Sequence, residues 1–240
     1  MREAGRRLAG LFVELEHEVR SGLSTAALDK YVNDYLHKYD LVSQTLGYHG
    51  YQHVSCISID DEVVHGVPSD ERILQEGMLA KIDVCAAWKG YCADMARCFV
   101  VGKLSGSQTT SHLVDTAYQA LDAGIKWAIP GARLGDISYA IQAVVEKAGF
   151  NVVRDFAGHG IGQRMHEEPE ILNYGVPGKG ILIRAGMAFA IEPMITAGKH
   201  HVCIAQDGWT VYTKDRSLAA HVEDTVLITD HGPEIVTRVV

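Results

Sequence analysis

The sequence predicts an α+β fold made of two repeated helix-helix-sheet halves, and three observations predict it. Two amphipathic helical stripes precede a run of strand-like segments, the same order then recurs, and short motifs repeat at one constant spacing. The 240 residues are read as one domain over 1–240, with pseudo-repeats of about 1–108 and 109–240.

In the first segment Leu8, Leu11, Phe12, Leu15 and Val19 recur at helical spacing until Ser21-Gly22 ends the stripe. Ser24 caps a second helix carried by Leu28, Tyr31, Val32, Tyr35, Leu36 and Tyr39. Strand-like segments follow at His53 to Ile59, Met78 to Ala87 and Tyr91 to Val100, the last two meeting at Lys89-Gly90. Helical patterning returns from about Ser111 to Ile129, broken by Pro130-Gly131, and from Asp136 to Lys147, closed by Gly149. Strands resume after Gly180, and Asp207-Gly208 is a hairpin signal.

At an offset of 109 residues, Gly66-Val67-Pro68 matches Gly175-Val176-Pro177, Gly77-Met78 matches Gly186-Met187, and Ile82-Asp83 matches Ile191-Glu192. Leu28 and Val32 align with Ile137 and Ile141 at the same offset. Chance similarity between two Gly-Pro punctuated strand starts is the competing explanation, and the single shared offset favours duplication. Asp83 and Glu192 would then occupy equivalent places about a pseudo-two-fold, so that carboxylates converge on its axis.

Composition narrows the function. Lys plus Arg is 22 against 30 Asp plus Glu, a formal charge of −8, so no basic surplus exists to neutralise phosphates and nucleic acid is not an expected partner. Twelve histidines against five phenylalanines direct attention to imidazole chemistry. Five cysteines (Cys56, Cys85, Cys92, Cys98, Cys203) without CxxC pairs suit reduced thiols. No apolar run is long enough to span a bilayer, and Glu3, Glu14, Glu16 and Glu18 spoil a signal or transit peptide, so a cytoplasmic protein is expected.

Asp83 lies in the strand Lys81-Ile82-Asp83-Val84-Cys85, where a carboxylate replaces a core residue and needs a partner. A hairpin closed about Trp88 and Lys89 sets Asp83 directly opposite Asp94. Two buried like charges across a ladder repel, and a bound cation is the natural remedy. A one-residue shift in register, turning Asp94 outward, is the alternative. The Gly158-His159-Gly160-Ile161-Gly162-Gln163-Arg164-Met165-His166-Glu167-Glu168-Pro169 loop brings two histidines seven apart on glycines that admit close backbone approach. It fits neither a zincin helix nor a dinucleotide loop. Glu192 interrupts an apolar strand from Met187 to Ile195, and Glu223-Asp224 interrupts another from His221 to Thr229. Alternation places Glu223 and Asp224 on opposite faces without choosing between them. Acids plus imidazole make a mostly oxygen site suited to Mn, Fe, Co or Zn, and five ligands with four carboxylates fit two ions better than one.

These motifs together resemble type I methionine aminopeptidases, of the pita-bread fold, and the likeness runs from Met1 to Val240. It implies that Asp83, Asp94, His159, Glu192 and Glu223 hold two divalent metal ions, with Asp94 and Glu223 bridging, and so selects Glu223 over Asp224. It also implies that His65 contacts the scissile amide, His166 hydrogen-bonds the developing oxyanion, and Glu192 assists as general base. The implied activity is removal of the initiator methionine from nascent chains, preferably before a small second residue, with hydroxide on the metals attacking the first peptide carbonyl.

By the same resemblance Tyr48, Tyr51, Cys56, His65, Met165, His166 and Trp209 contact the substrate, with Thr45 also at a pocket position. Cys and Phe would stand in the family pattern where this chain has Thr45 and Met165, and Met keeps apolar bulk while losing ring rigidity. His49, His53, His200 and His201 are read as ordinary side chains. A monomer without N-terminal extensions is expected, with possible docking to the ribosome left open. The competing readings are a proline-directed relative such as prolidase or aminopeptidase P, and a non-catalytic binding module that has lost its metals.

Overall fold

The structure, a computed structural model, describes residues 1–102 and 107–238. Four helices, α1 (Arg2–Glu18), α2 (Thr25–Lys38), α3 (Gln108–Lys126) and α4 (Leu134–Lys147), pack on a nine-stranded antiparallel sheet. Its order runs Val42–Ser43, Leu79–Trp88, Tyr91–Val100, Glu223–Thr229, Ala188–Ile191, Gly158–Gly160 and Glu167–Ile171, with Cys56–Ile59 and Gly232–Ile235 pairing off that path.

Alternation along the strands divides the sheet into two faces. Ile82, Val84 and Ala86 join Leu8, Leu11, Leu28 and Val32 in one apolar cluster with α1 and α2, whereas Cys85 and Ala87 belong to a different cluster with Ile161 and Met165. A second large cluster sets Leu113, Leu121, Ile137 and Ile141 of α3 and α4 against Phe189, Ile191 and Val226. Burying each such side chain is worth about 1.5–3 kcal/mol. The helices thus anchor one face of the sheet, and Asp83 is left on the other.

The echo at 109 residues extends to backbone bonds. Ser24 bridges Ile73 as Arg133 bridges Leu182, and the Gly22 N–H donates to Leu74 O as Gly131 donates to Ile183 O. Helices α2 and α4 are each 14 residues and begin at the equivalent positions Thr25 and Leu134.

The strands at Lys89-Gly90 depart from the expected register. Trp88 pairs with Tyr91, so Asp83 faces Ala96 and Asp94 faces Cys85. The two-residue turn is centred on Lys89 and Gly90, which take φ of 49° and 80°, and this shape follows the strand twist. The displacement is by two positions, not one, so Asp83 and Asp94 stay on the same face as diagonal neighbours. Helix α3 starts earlier than its pattern suggested because the Ser107 side chain caps it at Thr110 N, and it ends ahead of Pro130. The expected strand from Met187 to Ile195 is split into Ala188–Ile191 and Met194–Thr196 around Glu192-Pro193, since proline offers no N–H to a ladder. The last one is split likewise into Ala219–His221 and Glu223–Thr229. Asp207-Gly208 does lie in the connection between the paired strands Val202–Ile204 and Val211–Thr213.

Strand Gly158–Gly160 is squeezed between Glu167–Ile171 and Ala188–Ile191. A Cβ on Gly158 would stand 2.4 Å from Ala190 O, and one on Gly160 would stand 2.2 Å from Glu168 O. Only glycine fits on either side of His159. Gly160→Ala is therefore expected to destabilise the protein by about 1–3 kcal/mol through overpacking, read as a lowered urea midpoint; an unchanged midpoint contradicts this packing.

Candidate metal centre

One cavity of about 650 Å³ is lined by Asp83, Asp94, His159, Glu192 and Glu223, and also by Thr45, Tyr48, Tyr51, Cys56, His65, Met165, His166 and Trp209. All the residues singled out from the sequence thus line a single cavity, although they come from separate strands and loops. His49, His53, His200 and His201 are not among its lining residues; His53 instead lies 3.2 Å from Asp29.

The polar end is built by strand alternation. Asp94 is buried and anchored by Thr225, whose hydroxyl accepts from Asp94 N–H and donates to Asp94 O, both at 2.8 Å. Glu223 is buried beside it, and its Oε1 has no hydrogen-bond partner among the described residues. His159 is fixed by its neighbour: Nδ1–H donates to Gly160 O at 2.9 Å, which leaves the Nε2 lone pair facing Asp94 Oδ2 at 3.9 Å and Glu192 Oε1 at 3.5 Å. Potential ligand atoms of Asp94, His159 and Glu223 lie within 4.8 Å of one another, as do those of Glu192, His221 and Glu223.

Loss of solvent and mutual repulsion raise these acids together. Desolvation, then the charges of Asp94 and Glu192, lift Asp83 well above the carboxylate range, and desolvation followed by Asp94 lifts Glu223 in the same direction. Burial raises Glu192 to about 8, partly opposed by His159. An orphaned buried oxygen among clustered acids, with an imidazole presenting a lone pair, fits divalent cations and is unfavourable without them.

Asp224 has a different role. It points to the opposite face and is neutralised by Arg97 Nη2 at 2.6 Å and Arg238 Nε at 2.7 Å, with the Thr237 hydroxyl donating at 2.8 Å. Of these two adjacent acids, Glu223 lines the cavity and Asp224 does not.

The same cavity is also lined by Tyr48, Tyr51, Cys56, Met165 and Trp209, which form its more apolar wall. Tyr51 donates its hydroxyl to Ser55 O at 3.0 Å and meets the Trp209 ring edge-on at 5.0 Å. Met165 packs on Cys85, Ala87, Cys92 and Ile161. His166 stands perpendicular to His159, with ring centroids 4.3 Å apart, and its Nδ1 is 2.7 Å from Tyr48 OH. His65 has a left-handed φ of 59° and lies edge-on to Phe156 at 5.5 Å. Desolvation above all, with nearby imidazoles second, lowers both His65 and His166 to about 4, so each is neutral at pH 7.

Sequence reasoning missed Phe156, Leu172 and Met194 on the wall, where no local pattern marks an apolar residue as cavity-facing. It also missed His221, for which a signal existed: it lies two residues before Glu223 on an extended chain and so shares its face.

Residues 1–230 match the family model described as metallopeptidase family M24. The chain is 44% identical over 237 residues to methionine aminopeptidase of Clostridium acetobutylicum, covering 99% of this chain and 94% of that protein. Its identity to methionine aminopeptidase of Escherichia coli strain K12 is 43% over 240 residues, covering 99% and 89%. The crystal structure of methionine aminopeptidase from Thermotoga maritima superimposes with a TM-score of 0.96 at 40% identity, covering 100% of this chain and 95% of that one. Prolidase from Pyrococcus furiosus, at 21% identity and a TM-score of 0.76, shares the fold over 63% of its length. The chain belongs to metallopeptidase family M24.

Proposed function

We propose that this chain is a divalent-metal-dependent aminopeptidase that removes an N-terminal methionine, preferably before a small second residue. The observation that carries this reading is that Asp83, Asp94, His159, Glu192 and Glu223 line one cavity with the apolar wall of Tyr48, Tyr51, Cys56, Met165 and Trp209, in a chain 44% identical to a methionine aminopeptidase. The five polar residues would hold two ions of Mn, Fe, Co or Zn, which lower the pKa of water and polarise a carbonyl.

The chain's own residues supply the rest. The apolar wall takes the methionine side chain and excludes water from it. Glu192 takes a proton from the attacking water as general base. His166 donates to the oxygen that becomes negative as the carbonyl turns tetrahedral. The Tyr48 hydroxyl donates to Nδ1, which leaves Nε2–H for that task. His65 hydrogen-bonds the scissile amide and helps the amine depart. The proposed compartment is the cytoplasm, supported by five free cysteines and by the absence, among the described residues, of a helix able to cross a membrane.

With Met-Ala-Ser and added Mn or Co, Glu192→Ala is expected to lower methionine release by about 10²–10⁴-fold; release at the native rate, or faster cleavage of an Xaa-Pro peptide by the native protein, contradicts the assignment. Tyr48→Phe should lower kcat while preserving ring packing, and should have no further effect in a His166→Ala background. Additive losses in that double-mutant cycle would separate the two residues.

Metal removal should be felt as stability. Asp83, Glu192 and Glu223 have folded pKa values raised above their unfolded ones, so in the metal-free protein their contribution is full below the unfolded carboxylate range and is lost as pH rises through the folded values, about 8 for Glu192. Chelated protein should therefore melt lower at pH 8 than at pH 6, and added Mn should raise its Tm more at pH 8, where ligand protons compete less. Equal shifts at the two pH values would count against these acids as ligands.

A further inference from the structure

His221 closes the strand Ala219–His221, opposite Met194, and a single residue separates it from Glu223. Its imidazole is 1% exposed, and Nε2 lies 3.2 Å from Glu192 Oε2. A Glu192 carboxylate that holds a cation is ionised and can only accept, so in that state Nε2 carries the hydrogen and donates it. The other Glu192 oxygen, Oε1, is the one 3.5 Å from His159 Nε2. His159 brings no hydrogen there, because its Nδ1–H is committed to Gly160 O.

The two oxygens of Glu192 are thereby divided between an imidazole that holds and an imidazole that shares ligand duty. A glutamate carboxylate turns easily about its terminal torsion, which has broad two-fold wells. The backbone at Glu192 is held by Pro193 and by Asn173 Nδ2 donating to Glu192 O at 3.0 Å, so the side-chain torsions, the carboxylate plane among them, are the freedom left to control.

We infer that His221 is a positioning residue that grips Glu192 Oε2 through Nε2–H and keeps Oε1 turned toward the ions and the attacking water. The inference rests on the proposed role of Glu192. Partners of this kind orient metal-ligating carboxylates, and their loss costs about 10–100-fold in affinity or activity.

The test uses full-length protein stripped and reloaded with Mn or Co, comparing His221→Leu, His221→Gln and His221→Asn. Calorimetric Mn titration, kcat and KM on Met-Ala-Ser, and the visible spectrum of the Co form are the readouts. His221→Leu is expected to lose about 10–100-fold in Mn affinity and in kcat, with KM little changed. Gln, whose amide N–H can replace Nε2–H, should recover most of both losses and give a Co spectrum like the native one. A Leu variant with native Mn affinity and kcat overturns the inference. So does a Gln variant as impaired as Leu with an altered Co spectrum, which would make His221 a direct ligand.

Should the Leu variant fail to fold by circular dichroism, the Gln and Asn variants decide. Recovery with Gln and loss with the shorter Asn supports the grip, and equal behaviour overturns it. Native protein that takes up no Mn and releases no methionine would overturn the functional reading itself, a result distinct from each of these.

Discussion

Mutual repulsion among buried and half-buried carboxylates is the constraint around which this protein is organised. Asp83, Asp94, Glu192 and Glu223 line one cavity, and Glu223 Oε1 has no hydrogen-bond partner among the described residues. Like charges about 4 Å apart at an effective dielectric near 20 repel by about 4 kcal/mol. Such an arrangement persists only if something else holds the backbone in place. Here the sheet does so, because its other face is fastened to α1 and α2 through Ile82 and Val84 and to α3 and α4 through Phe189 and Ile191.

The opposite treatment of adjacent acids shows how local that constraint is. Asp224 is paired with Arg97 and Arg238 on one face, while the carboxylate of Glu223, one residue earlier, lines the cavity and forms no ion pair among the described residues. Alternation of a single strand therefore separates an acid paired by two arginines from an acid that faces the cavity. The imidazoles divide in a similar way: His159 offers a lone pair because Gly160 O takes its hydrogen, and His221 turns Nε2 toward Glu192 Oε2 at 3.2 Å.

Much of this was legible in the sequence. Carboxylates in apolar strands, the Gly-His-Gly segment and the repeat at 109 residues announced both the halves and the convergence of acids, because burying a charge leaves a conspicuous break in a hydrophobic run. The hairpin register was not legible to the residue. It depended on Lys89 and Gly90 both taking positive φ, and a two-position error keeps Asp83 and Asp94 on the same face. The wall residues Phe156, Leu172 and Met194 were hidden because a cavity is a long-range property, and apolar side chains look alike whether they face a core or a void. His221 was hidden for a subtler reason: a lone histidine in an apolar strand is usually a satisfied core residue, and its partner Glu192 is distant in sequence.

The most direct test of the central claim is anomalous diffraction from crystals of this protein soaked in Mn. The account predicts two peaks enclosed by Asp83, Asp94, His159, Glu192 and Glu223, with Asp94 and Glu223 between them. Absence of density there, or ions bound only at other surfaces, would contradict it.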